Sequence, residues 1–183
     1  MTEKETLYGK NPEELAALCA ELGLPRFAAR QIARWLYVRG TEDPMRMTDL
    51  AATARKRLAA RFAPALSAPE RVSVSADGTK KYLFRTRHGH YVESAYIPDG
   101  ERATLCVSSQ AGCRMGCRFC ATGRQGLQES LPAAEILNQI VSLPERDRLT
   151  NLVFMGMGEP LDNPDQLLGT LSVITSEWGF GWS

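Results

Sequence analysis

The chain has 183 residues, 44% of them hydrophobic and 23% charged, an ordinary globular composition for one or two domains that excludes a disordered or fibrous polypeptide. A formal net charge of +1 conceals two basic segments: residues 1–64 carry eleven Lys or Arg against eight Asp or Glu, and residues 101–126 carry four Arg against one Glu. No stretch approaches the roughly 18 apolar residues of a membrane span, and five cysteines behind a charged N-terminus without a leader pattern predict a cytoplasmic protein with reduced thiols and no membrane contact.

Residues 11–62 read as three short helices. Asn11 and Pro12 supply a cap and first turn, Leu15, Leu18, Cys19 and Leu22 share one face, and Gly23 ends the run. A second helix is expected from Arg26 to Arg39, with Ala28, Ile32, Trp35 and Leu36 inward and Arg26, Arg30 and Arg34 along another face. A third follows Thr48 as N-cap, with Ala51, Ala54, Leu58 and Phe62 as its stripe and Arg55, Lys56, Arg57 and Arg61 outside. Those basic side chains fit either a solvated helix surface or contact with RNA phosphates.

After Pro64 and Pro69 the period becomes alternating: Val72 and Val74, the turn Asp77-Gly78, Tyr82 to Phe84, and Tyr91 to Ile97 predict a small β-meander of about three strands, closed by a linker at Pro98-Asp99-Gly100. Beyond it the pattern is βα: a strand from Ala103 to Val107, a cysteine loop, a helix from Pro132 to Ser142 capped by Ser130, a strand from Asn151 to Met155, and a helix from Pro164 to Thr175. That order predicts parallel strands. The expected organisation is therefore a helical module over 1–66, a β-meander over 67–100 and an α/β portion over 101–183.

Cys113, Cys117 and Cys120 offer three thiolates at C-x3-C-x2-C spacing and no local fourth, the donor set of an iron–sulfur cubane with one open iron. The residues alone leave open a zinc site completed by Cys106 or His88, or a structural thiol cluster. Gly112, Gly116, Gly123 and Gly126 suit a loop wrapped closely around an inorganic core. The second βα strand ends in Met155-Gly156-Met157-Gly158-Glu159-Pro160, a glycine-rich turn with one carboxylate.

The cysteine spacing, with Phe119 before the last thiol, resembles the signature of radical S-adenosylmethionine (SAM) enzymes. The segments Arg102 to Cys113, Cys120-Ala121-Thr122-Gly123 and Met155 to Leu161 are more narrowly similar to the RlmN family, methyltransferases of adenine C2 in 23S rRNA and tRNA, and so are Leu24-Pro25-Arg26-Phe27 and the Asp77 to Tyr82 hairpin. The resemblance implies a [4Fe-4S] cluster on Cys113, Cys117 and Cys120, and SAM held by Gly158 and Glu159. It further implies Glu93 as proton acceptor from C2, and Cys106 as a resolving thiol that ends in a transient disulfide. One SAM would methylate a carrier cysteine; a second would be cleaved to a radical that activates the methyl group for addition to C2.

The same resemblance implies a partial (βα)6 TIM-like barrel, of which this chain has two βα units before it stops at Ser183. The expectation is an N-terminal portion that lacks the carrier cysteine and is inactive alone, working as a monomer with an external electron donor such as flavodoxin. Two other readings stand beside it. An adenine-C8 methyltransferase shares the cluster, and a zinc-stabilised RNA-binding protein shares the basic helices.

Overall fold

The computed structural model describes residues 4–182, so Ser183 lies outside the described part. The chain divides into two compact units, Met1–Ala65 with Leu168–Ser183, and Leu66–Leu167.

In the first unit a two-residue strand β1 (Glu5–Thr6) pairs in parallel with β2 (Phe62–Ala63), and three helices lie between them in sequence. Helix α1 (Pro12–Glu21) opens on the expected cap: the Asn11 side chain accepts the Glu14 N–H at 2.9 Å and the Glu14 carboxylate accepts the Asn11 N–H at 2.7 Å. Such a box contributes about 1 kcal/mol. Leu15, Leu18 and Cys19 are buried, as their spacing predicts.

Helix α2 (Ala28–Ala33) continues as a π-turn over Arg34–Val38, burying Ala28, Ile32 and Leu36. Trp35 is only half-buried; its indole N–H donates to Asp49 and the Arg39 guanidinium lies 4.0 Å over its ring. Helix α3 (Ala52–Arg61) starts later than the Thr48 cap predicts. Met47 and Leu50 are buried and the chain turns between them, so Thr48 sits on an exposed bend and the uncapped Ala51 enters the helix. A Tyr37-centred aromatic cluster draws in the C-terminal segment, with Tyr8, Trp178 and Phe180 rings 5.3, 5.6 and 6.2 Å away.

The second unit is built on a five-stranded sheet ordered β3 (Arg71–Val74), β4 (Lys80–Arg85), β5 (Tyr91–Asp99), β6 (Arg102–Cys106) and, out of sequence order, a last strand Asn151–Val153. All neighbours are antiparallel except β6 and that last strand, which pair in parallel as expected, with Leu105 opposite Leu152. The supposed linker at Pro98–Gly100 is a hairpin turn inside this sheet. Strand β5 runs through Pro98 and Asp99, and Gly100 turns at φ +56°.

Two further strands, β7 (Gln110–Cys113) and β8 (Gly126–Ser130), pair around the cysteine loop, which carries a one-turn helix α4 (Ala121–Arg124). Neither strand was legible from periodicity, and Ser130, the expected helix cap, lies in β8. Helix α5 (Ala133–Val141) instead starts from Pro132, with no side-chain cap. The last sheet strand is therefore β9 (Asn151–Val153), and α6 (Pro164–Thr175) follows it.

One face of the sheet, with Tyr82, Phe84, Val92, Tyr96, Ala103 and Leu105, is buried. Helix α5 and its neighbours cover it: Glu135 accepts the Arg87 N–H, Asn138 the Ser67 N–H, Gln139 the Ser108 N–H, and Glu145 the Tyr82 hydroxyl. The opposite face, with Lys81, Glu93, Ala95 and Cys106, is only partly covered.

Candidate active site

Strand β7 ends in the first thiol, Cys113, which is buried and paired with Gly126 across β8, so residues 114–125 leave and re-enter the ladder at one point. That closure depends on Gly112: a β-bulge lies between Ala111 and Gly112, and a Cβ on Gly112 would stand 1.8 Å from the Gly126 carbonyl oxygen. Gly123 likewise lets the loop fold on itself, since a Cβ there would stand 3.1 Å from the Cys117 nitrogen. Gly112 and Gly123 thus serve backbone-to-backbone contacts within the loop and its ladder.

Cys117 is exposed and Cys120 half-buried at the start of α4. Among the described residues no three His, Cys, Asp or Glu side chains are gathered to hold a metal ion, so the three thiols share a loop without converging. His88 sits against the Glu129 carboxylate. The chemistry of the loop still fits a thiolate-bound group. The Gly123 N–H, then Thr122 and Arg124, draw the Cys120 thiol below its usual range, favouring the ionised form that ligates metals.

The glycine-rich turn after β9 is held by a polar run that leads from β6 into β7, Ser108-Ser109-Gln110, all three buried. The Ser108 hydroxyl donates to the Glu93 carbonyl and accepts the Met157 N–H at 2.7 Å, while the Met157 carbonyl accepts the Ser109 and Gln110 N–H groups at 2.9 and 3.2 Å. The Gln139 amide closes on both sides of Ser108, accepting its N–H and donating to its carbonyl at 2.9 Å each. Asn163 bridges the Ser109 and Leu131 carbonyls. Gln139 and Asn163 escaped the sequence reading. The available signal was the polar triplet inside an apolar run, which demands buried partners.

Gly156 and Gly158 pack against this hub. A Cβ on Gly156 would stand 2.6 Å from the Ser108 hydroxyl, and one on Gly158, at φ +97°, 2.6 Å from the Gln110 Cβ. Glu159 donates its N–H to Gln110 at 3.0 Å, and its carboxylate accepts the Leu161 N–H at 3.1 Å, starting a single 3-10 turn over Pro160–Asp162.

Glu93 and Cys106 lie on the partly covered sheet face. Ala95 pairs with Cys106, so Glu93, two residues away on β5, is its diagonal neighbour. The Glu93 carboxylate pairs with Lys81 at 3.0 Å and borders a cavity of about 260 Å3 that Arg71, Ser73, Lys81 and Leu83 also line. Burial pushes the Cys106 thiol up, against a hydrogen bond from the Met155 backbone, and this keeps it protonated.

Residues 6–63 match the family described as the ribosomal RNA large subunit methyltransferase N-terminal domain, and residues 107–179 match the radical SAM superfamily. A probable dual-specificity RNA methyltransferase RlmN of Phocaeicola vulgatus is 52% identical over 182 residues, covering 100% of this chain and 52% of the relative. The dual-specificity RNA methyltransferase RlmN of Geotalea uraniireducens is 44% identical over 99% of this chain and 53% of its own length. The chain belongs to the RlmN family. It spans about half the length of the curated relatives it matches.

The crystal structure of a radical SAM methyltransferase from Sphaerobacter thermophilus matches at a TM-score of 0.84 and 39% identity, over 98% of this chain and 54% of that one. The α/β class and open, unclosed sheet are thus those of a radical SAM methyltransferase fold, as the resemblance implied. Among the described residues no helix is long and apolar enough to cross a membrane.

Proposed function

We propose that this chain supplies the cluster-bearing, RNA-facing portion of a radical SAM enzyme that methylates adenine C2 in 23S rRNA and tRNA. What carries this reading is strand β7: its last residue is the first loop thiol, and its first residue, Gln110, holds the N–H of Glu159. One four-residue strand thereby joins the two sequence features that the family uses for cluster and SAM.

In this reading Cys113, Cys117 and Cys120 hold a [4Fe-4S] cluster, and the Gly158 backbone and Glu159 carboxylate bind the amino group of SAM. Bound there, the two groups supply the one-electron chemistry that an unactivated ring carbon requires. This chain's own residues fill two further roles. Glu93 receives the proton from C2, with Lys81 across the strands balancing its charge. Cys106, on the same face, is the resolving thiol of a transient disulfide. The helical module of residues 1–66 meets RNA through its exposed arginines, and the protein works in the cytoplasm as a monomer with an external electron donor such as flavodoxin.

Anaerobic iron–sulfur reconstitution followed by electron paramagnetic resonance with and without SAM tests the site. The expected result is a cubane signal that changes with SAM and is lost in Cys113→Ala, Cys117→Ala and Cys120→Ala. Tight, colourless zinc in its place overturns the reading. A chimera of this chain with the remaining half of the Phocaeicola relative tests the product. It should form 2-methyladenosine, and Glu93→Gln should abolish it, whereas 8-methyladenosine would refute the C2 assignment.

A further inference from the structure

The cysteine loop and the glycine-rich turn meet through one carboxylate that neither sequence feature contains. Asp162 closes the 3-10 turn that Glu159 begins, and its side chain is 18% exposed. Its Oδ2 atom accepts a hydrogen bond from Gln110 Nε2 at 2.9 Å and forms an ion pair with Arg114, whose Nε lies 2.8 Å away. Arg114 directly follows the first loop thiol, and Gln110 is fully buried at the other end of β7.

The Gln110 amide has one workable orientation. A carboxylate only accepts, so Nε2 must face Asp162, which leaves Oε1 for the Glu159 N–H at 3.0 Å. Nε2 also reaches the Ser130 hydroxyl at 3.2 Å, tying in β8. The result is a continuous path from Cys113 through Arg114, Asp162 and Gln110 to Glu159, and one of its links is an ion pair between guanidinium and carboxylate.

We propose that Asp162 is a positioning residue that locks the cysteine loop to the Gly158-Glu159 turn and so sets the spacing between the two halves of the candidate site. This rests on the cluster-and-SAM reading for its purpose but not for its geometry. Without Asp162 the exposed Arg114 has nothing holding it toward the turn, and the Gln110 amide loses the partner that fixes its orientation. The turn and the loop then move independently.

Amide hydrogen exchange on the cofactor-free chain tests the lock directly. Arg114→Gln removes only an exposed side chain, and Asp162→Asn is isosteric, so the fold survives both. Each should speed exchange about tenfold in residues 114–124 and also in 158–162. The double variant should be no faster than the stronger single one. If Arg114→Gln loosens its own loop and leaves 158–162 at the parent rate, or if the two effects add, the lock does not exist.

A SAM titration of the reconstituted chain then tests its purpose. Asp162→Asn should take up iron within about twofold of the parent, yet need about tenfold more SAM for the half-maximal spectral change. Equal SAM requirements would overturn the positioning role. A parent chain that binds no cluster would sink the cluster reading while the exchange result still decides the lock.

Discussion

The turn at Met155–Pro160 and the loop 114–125 both lie against strand β7, but they are stabilised by different means. The turn is fixed by buried polar groups: Ser108, Gln110 and Gln139 reach its backbone or its neighbours, and two glycines bring it within contact distance. The loop relies on its own backbone, one closure point and the Arg114–Asp162 ion pair beside that point, and carries Phe119 at 90% exposure. A region held by enclosed hydrogen bonds resists local change because each lost partner strands a buried group. A region held at its base tolerates change everywhere else.

The sharpest way to break that contrast is at the closure point itself. Gly112→Ala forces a Cβ to 1.8 Å from a backbone carbonyl at φ +71°, an overlap no rotamer relieves, so thermal unfolding should show a loss above about 3 kcal/mol. Gly158→Ala meets the Gln110 Cβ and backbone at φ +97° and should cost about 2 to 3 kcal/mol by the same measurement. Gln139→Ala strands both polar groups of Ser108, with an expected loss of about 1 to 3 kcal/mol in urea unfolding.

Acid should probe the sheet's covered face more gently. Burial raises the Glu145 carboxyl, but hydrogen bonds from Lys80 and Tyr82 outweigh it and hold the group below its usual range. The stability it adds is therefore complete above the unfolded carboxyl value, about 4.3, and is lost as pH falls through the folded one. Glu135, raised first by burial, works in the opposite sense. Glu145→Gln should accordingly shrink the drop in Tm between about pH 5 and about pH 3. The smallest effect belongs to the loop: Phe119→Ala should shift stability by less than about 0.5 kcal/mol. A larger loss would show that the loop is tied down beyond its base.

Much of this was written in residue patterns. The Asn11 capping box, the meander, and the parallel pairing of Leu105 with Leu152 follow from local chemistry and alternation. Strands β7 and β8 did not show, because a glycine-bearing bulge and short ladder give no period to read. Thr48 misled because two buried neighbours, Met47 and Leu50, dictate the turn there. At the site, the thiols stood out by spacing, and Gly158 and Glu159 only through the family resemblance. Gln139 and Asp162 did not, since their significance lies in partners 31 and 52 residues away.

The crossing of Gly112 with Gly126 has an architectural consequence. It acts as a clasp: change beyond Arg114 leaves the register of the sheet intact, because no strand ladder passes through residues 115–125. A framework of this kind separates the register of the sheet from the loop that carries the thiols, and does so with one hydrogen atom at Gly112 in place of a side chain.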